Sequence, residues 1–266
     1  MANAAKDAGT AQLAGTAGGV GVRILTALSA EPRREVDGEK DPEAELREII
    51  DTIPGILELI RNRSVLDFGC GTGLHAIAMA MAGASHVTGL DINERWLESA
   101  RTSARTFAVE DRVDFKPTVG DEKFDVVLSF NSMEHFSEPA VVLKKMRDVV
   151  RSNGRVVIAF APPWLSAYGA HMHHFTRVPW VHLLFSERTV MTVRNRYSTD
   201  QPARYEDVEG GLNRMTVRRF EQLVPNAGFQ PVWTRLTPMK GLPVVTRVPF
   251  VREFFTTRVA AVLKPV

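Results

Sequence analysis

The apolar positions of this chain change period repeatedly, and each change predicts an element. Over 43–60 the apolar residues Leu46, Ile49, Ile50, Ile53, Leu57 and Ile60 recur at helical spacing, and Pro54-Gly55 divides the stretch into two short helices. Residues 64–68 are an apolar run of strand length, followed by a glycine-rich turn and an Ala/Met-rich helix over 73–82. A second strand over 84–90 ends at Asp91, and Asn93 is placed to cap a helix over 94–108. Strands follow over 113–116, 124–130 and 155–160, with a helix over 141–151 stopped at Asn153-Gly154. Such alternation predicts a parallel sheet with helices on both faces.

After residue 160 the rhythm breaks. Residues 162–211 are rich in Pro, His, Trp and Arg, and compact folds rarely hold long irregular stretches without a purpose. A helix over 216–227 follows, with Thr216 as its cap and Gly228 at its end, and then strands over 229–236 and 259–263. At the other end, residues 1–20 are small and lack a periodic apolar pattern, 22–28 suit a short helix, and 31–42 read as a charged linker. The expected organisation is a flexible extension over 1–42 and one domain over 43–266, in which 162–211 form a substrate-side insertion or lid.

Composition narrows the class. With 266 residues, 44% hydrophobic and 24% charged, the chain suits a single globular domain. No apolar run reaches the length of a membrane span, and no basic start with an apolar core marks a secretory signal. One cysteine excludes an internal disulfide, which favours a cytoplasmic location. The net charge of +2 is unevenly spread: Lys and Arg outnumber Asp and Glu 14 to 7 over 164–266. That excess is scattered arginine, without the dense basic block of a nucleic-acid-binding arm. It suits an anionic small molecule, so neither nucleic acid nor membrane is expected as a partner; a homo-oligomer is allowed.

The chemistry starts at Val65-Leu66-Asp67-Phe68-Gly69-Cys70-Gly71-Thr72-Gly73. Strand, glycine turn and helix together make a nucleotide-binding arrangement. Glycines let the backbone turn sharply and let a ligand approach it, and the helix start offers unpaired N–H groups. Asp91, twenty residues beyond Gly71, is placed to accept hydrogen bonds from ribose hydroxyls. A dinucleotide turn needs Gly-x-Gly-x-x-Gly and room for a pyrophosphate. Here the spacing is tighter, and Asp67 just before the turn repels phosphate and suits a cation. S-adenosylmethionine carries a sulfonium and an ammonium, with no phosphate.

These residues resemble the first motif of class I S-adenosylmethionine-dependent methyltransferases. Gly89-Leu90-Asp91-Ile92 resembles the second, and Phe124-Asp125-Val126-Val127 followed by Met133-Glu134-His135-Phe136 resembles the fourth strand and its loop. Arg151-Ser152-Asn153-Gly154-Arg155 is similar to the turn before strand five. The resemblance covers about residues 64–160. It implies a Rossmann-like, mostly parallel sheet of seven strands, the last antiparallel and inserted between the fifth and sixth. It also implies roles. Gly69, Gly71 and Gly73 shape the turn under the methionine part, and Asp67 holds its ammonium end. Asp91 takes the ribose hydroxyls, Ile92 packs on the adenine, and Asn131 lies near the reacting centre. One departure stands out: Val119-Gly120-Asp121 runs directly into Glu122-Lys123-Phe124, without the usual acidic step at the adenine edge.

Methyl transfer needs a nucleophile aligned with the methyl and, for many acceptors, a base. His135, just after strand four, is one candidate, since an imidazole titrates near neutral pH. Glu134 beside it is placed to orient it or to cap the next segment. Four of the seven histidines lie within 171–182: His171, His173, His174 and His182. Three readings compete for this segment: a packed lid, an acceptor pocket using His171, His174 and Tyr168, or a metal site. A metal site lacks an evident carboxylate or cysteine at ligand spacing. Cys70 reads as a small packed residue.

Three functions follow. The first is methylation of a small molecule, with oxygen or carbon as nucleophile and Arg177, Arg188, Arg194, Arg196 and Arg204 as candidates for an anionic group. The second keeps the cofactor and changes the reaction to cyclisation, decarboxylation, hydroxylation or a metal-assisted step. The third is a non-catalytic cofactor-binding subunit.

Overall fold

The computed structural model describes residues 19–29, 41–208, 210–241 and 248–266. Strands β1 (Ser64–Phe68), β2 (His86–Leu90), β3 (Val113–Lys116), β4 (Phe124–Phe130), β5 (Val150–Phe160), β6 (Phe229–Pro238) and β7 (Thr256–Pro265) form one sheet, ordered β3-β2-β1-β4-β5-β7-β6. Pairing is parallel from β3 through β5, and β7 enters antiparallel between β5 and β6. This is the Rossmann-like sheet that the motif order implies. Helices are α1 (19–28), α2 (Pro42–Thr52), α3 (Ile56–Ile60), α4 (Leu74–Met81), α5 (Glu94–Thr106), α6 (Pro139–Val149), α7 (Val181–Leu184), α8 (Glu187–Arg194), α9 (Val217–Asn226) and α10 (Val251–Phe255).

Buried strands alternate their side chains between two cores. On one face Val65, Val126, Leu128, Phe130 and Ala260 meet Ile49, Ile53, Ile60, Ile77 and Leu97 from α2 to α5. On the other, Leu66, Val127, Val156 and Ile158 meet Leu143, Met146, Phe220 and Val224 from α6 and α9. The predicted caps form: Asn93 accepts the Arg95 N–H, and Thr216 accepts the Arg219 N–H. Pro54-Gly55 does separate α2 from α3. The last two strands run longer than the apolar pattern indicates. Pro231 and Pro238 fall within β6 beside register shifts, which an edge strand tolerates because one side of it has no ladder to donate to.

A third core belongs to the insertion. Ala170, Met172, Phe175, Val181, Val190, Val193, Tyr205 and Leu212 pack together, and Leu25 of α1 completes them. Ser29 bridges Thr176, and Arg196 donates to Thr26 Oγ1. Within the expected N-terminal extension, residues 19–29 are therefore a helix and bridge docked on the insertion; residues 1–18 and 30–40 lie outside the described residues. No helix among the described residues is long and apolar enough to cross a membrane.

Candidate functional site

The turn after β1 needs its glycines for different reasons. Gly69, Gly71 and Gly73 have φ of 81°, 52° and 80°, in the region that favours glycine. A Cβ on Gly73 would lie 2.6 Å from the Phe115 ring and 2.7 Å from Ala100, so packing forbids it. A Cβ on Gly71 would meet nothing within 4 Å, so this part of the turn borders open space. Asp91 braces the turn from β2. Its Oδ2 accepts the Gly71 N–H and its Oδ1 accepts the Asn93 N–H, each at 2.9 Å. The neighbouring Ile92 is 94% exposed, an apolar side chain held in solvent at the rim. From β4, Ser132 Oγ donates to the Gly69 carbonyl at 2.9 Å. Asn131 adopts φ 53°, and its Oδ1 is buried without a partner.

Asp67 lies beneath this turn. It is 1% exposed, and neither carboxylate oxygen has a hydrogen-bond partner. Burial pushes its pKa up to about 6, against the attraction of His75 and with the repulsion of Asp91. His75, on α4, is a site residue that the motif reading does not single out. Its Nε2 is 2.9 Å from Glu45 Oε2 on α2. Burial works to lower its pKa, but the Glu45 contact and the charge of Asp67 outweigh it and raise it. The only available signal was a lone histidine in an otherwise Ala/Met-rich helix. Cys70 is buried, and burial with the charges of Asp67 and Asp91 holds its thiol protonated, which fits a packing role.

The far wall comes from the β4 loop and the insertion. Asn213 clamps them together: its N–H donates to the Glu134 carbonyl, and its Nδ2 donates to the carbonyls of Met133 and Phe136. His135 Nδ1 is 2.7 Å from the Gly211 carbonyl. A carbonyl only accepts, so Nδ1 carries the proton and Nε2 keeps its lone pair. The His171 ring meets His135 edge-on at 5.4 Å. His171 adopts φ 56°, and its Nε2 is buried without a partner. Burial, then the nearby His135 and His173, push its pKa down to about 4, against the Pro162 carbonyl. Glu134 is buried; its Oε1 accepts the Ala161 N–H at 3.2 Å and its Oε2 has no partner. Burial raises its pKa, against the charge of His135 and the Ala161 N–H.

The other candidates go elsewhere. His174 is not gathered with His135 and His171: its Nε2 lies 3.3 Å from Ser198 Oγ and its ring packs on Phe175. Tyr168, 39% exposed, packs on His173 at 4.6 Å. His182 donates from Nε2 to the Trp164 carbonyl at 2.6 Å. The reason is the third core: the apolar residues between these histidines turn inward and spread the imidazoles over different sides. Among the described residues, no three His, Cys, Asp or Glu side chains are gathered to hold a metal ion. Among the arginines, Arg194 is held by both carboxylate oxygens of Asp200, and Arg204 pairs with Glu206.

A family model described as a methyltransferase domain matches residues 66–158, which span the turn, Asp91, Asn131 and His135. The chain carries a class I S-adenosylmethionine-dependent methyltransferase domain. Curated relatives agree over this part. A "Ubiquinone biosynthesis O-methyltransferase" of Neisseria meningitidis is 37% identical over 113 residues, covering 40% of this chain and 47% of the relative. A "27-O-demethylrifamycin SV methyltransferase" of Amycolatopsis mediterranei is 34% identical over 116 residues, covering 41% and 43%. The chain thus spans about half the length of the curated relatives it matches. Among solved structures, the [4+2]-cyclase SpnF aligns with a TM-score of 0.55 at 16% identity, covering 84% of this chain and 82% of that one. At that identity the likeness concerns the fold alone, and the methyltransferase domain shares that fold with a cyclase.

Proposed function

We propose that this protein transfers a methyl group from S-adenosylmethionine to an oxygen of a small-molecule acceptor. The observation that carries the reading is Asp67: a carboxylate buried without a partner beside a turn that opens at Gly71. A buried carboxylate without a hydrogen-bond partner is costly to ionise, and a cationic ligand over the turn relieves that cost. The donor set therefore fits the cofactor. When bound, S-adenosylmethionine supplies a methyl group activated by its sulfonium.

The chain supplies binding, orientation and proton handling. Asp67 takes the ammonium end. Asp91, already braced by two backbone N–H groups, keeps lone pairs for ribose hydroxyls, and Ile92 offers an apolar surface to the adenine. His135 is the base: Gly211 fixes its tautomer so that Nε2 accepts the acceptor's hydroxyl proton as the oxygen attacks. His171 stays neutral at neutral pH and orients the hydroxyl through its buried Nε2. Asn213 clamps the end of the insertion to the β4 loop on this side.

Oxygen is preferred because the relatives named above are named for methylation at oxygen. A cytoplasmic location suits the single thiol, Cys70. The test is incubation with S-adenosylmethionine and a library of phenols and alcohols, read by mass spectrometry. Equimolar methylated product and S-adenosylhomocysteine are expected. A changed acceptor without S-adenosylhomocysteine would replace this reading with cyclisation.

A further inference from the structure

A second unsatisfied charged group lies on the same face of the sheet as Asp67. Arg258 stands near the start of β7, two residues before Ala260, whose side chain joins the α2-side core. Because β7 is antiparallel to β5, its start lies beside the end of β5, where the site is. Arg258 Nη2 donates to Glu48 Oε1 of α2 at 2.5 Å, and the guanidinium lies 5.2 Å from the centre of the Phe130 ring. Its Nη1 is buried and has no partner.

Phe130 connects this arginine to the cofactor side. The His75 ring packs on it at 5.0 Å, and His75 is the residue that faces Asp67 and Glu45. Glu45 and Glu48, three residues apart and so on one face of α2, reach His75 and Arg258. Helix α2 is thereby pinned over a cluster that holds an unpartnered carboxylate, Asp67, and an unpartnered guanidinium N–H, Arg258 Nη1. Glu134 is the other acid near Arg258, but its bonded oxygen goes to the Ala161 N–H and burial disfavours its charge.

A carboxylate without a hydrogen-bond partner and a guanidinium with one free N–H on the same face are complementary to an α-amino acid, which carries an ammonium and a carboxylate on one carbon. We propose that Arg258 binds the carboxylate of the cofactor's amino-acid end while Asp67 binds its ammonium, with Glu48 positioning the guanidinium. This rests on the cofactor reading above. Arginine suits the task because its planar fork offers one edge to Glu48 and another N–H to a second carboxylate.

Calorimetry with two probes tests it: S-adenosylhomocysteine, and its decarboxylated analogue S-adenosyl-3-thiopropylamine, which keeps the ammonium and lacks the carboxylate. The wild-type protein should prefer S-adenosylhomocysteine. Arg258→Gln should weaken S-adenosylhomocysteine by about ten- to a hundredfold and leave the amine unchanged, erasing the preference. Arg258→Lys should retain part of it. Glu48→Gln, at a half-exposed position that a substitution should not unfold, should give a smaller loss confined to S-adenosylhomocysteine. Equal losses for both probes would assign Arg258 to packing and overturn the proposal. An unaltered preference in Arg258→Gln would also overturn it, and would leave an anionic acceptor as the guanidinium's ligand. Failure of the wild-type protein to bind either probe would refute the cofactor reading itself.

Discussion

Replacing Asp67 with Asn should move stability and cofactor affinity in opposite directions. The carboxyl is buried without a partner, and its pKa rises from 3.8 to about 6. An acid that is harder to ionise in the fold than in the unfolded chain favours folding while protonated. That contribution is complete below the unfolded value of 3.8 and is lost as pH climbs through the folded value of about 6. By neutral pH the loss amounts to about 3 kcal/mol, from roughly 1.4 kcal/mol per pKa unit. Asn has the same shape and no charge, so the cofactor-free variant should gain up to about 3 kcal/mol. That is a rise of about 6–12 °C in melting temperature for a chain of this size. The same change removes a charge-assisted bond to the cofactor's ammonium, which should weaken S-adenosylhomocysteine by about ten- to a hundredfold. Thermal melts at neutral pH and calorimetry on the same samples measure both. In the wild-type protein, affinity should also fall below about pH 6, where the ligand must displace a proton from Asp67. A variant that melts at the wild-type temperature and binds with wild-type affinity would refute the reasoning.

Other substitutions separate the parts of the site. Gly73→Ala should cost about 3 kcal/mol in denaturant unfolding, because its Cβ would collide with Phe115 and Ala100 at positive φ. Gly71→Ala meets nothing, so it should cost only about 1 kcal/mol of stability while weakening S-adenosylhomocysteine markedly in calorimetry. Asp91→Ala frees the N–H groups of Gly71 and Asn93 as well as the ribose, and should reduce affinity by about a hundredfold or more. Once the library screen identifies an acceptor, His135→Gln and His171→Phe should lower kcat and leave the S-adenosylhomocysteine Kd near wild type. His174→Ala should keep turnover near wild type, since its ring is engaged with Ser198 and Phe175.

What could be read in advance was local. The glycines after β1, the acid before them and Asp91 lie within one strand–turn–helix–strand unit. Their spacing encodes both the backbone geometry and the charge of the ligand. The edge order of β6 and β7 followed from the motif order, because that order implied the sheet. The proposed catalytic wall was only half legible. His135 stood out by its place after β4, but its neighbour among four nearby histidines was decided by the third core, to which α1 contributes Leu25. His174 packs against Ser198 and Phe175, apart from His135, for that reason. Most aromatic residues of the insertion build this core, so the proposed acceptor wall draws on the β4 loop as well as on the insertion. Contacts across long sequence separations were not legible at all. Arg258 and Glu48 are 210 residues apart, and neither carries a motif. Their meeting depends on β7 turning back antiparallel and on α2 lying over α4.

The central claim is that the turn between Asp67 and Asp91 holds S-adenosylmethionine or its product. Titration of the wild-type protein with S-adenosylhomocysteine in a calorimeter, with Asp91→Ala beside it, tests this most directly. Saturable binding at one site per chain, lost in the Asp91 variant, is the predicted result. No heat from the wild-type protein, or the same binding in both, would contradict it.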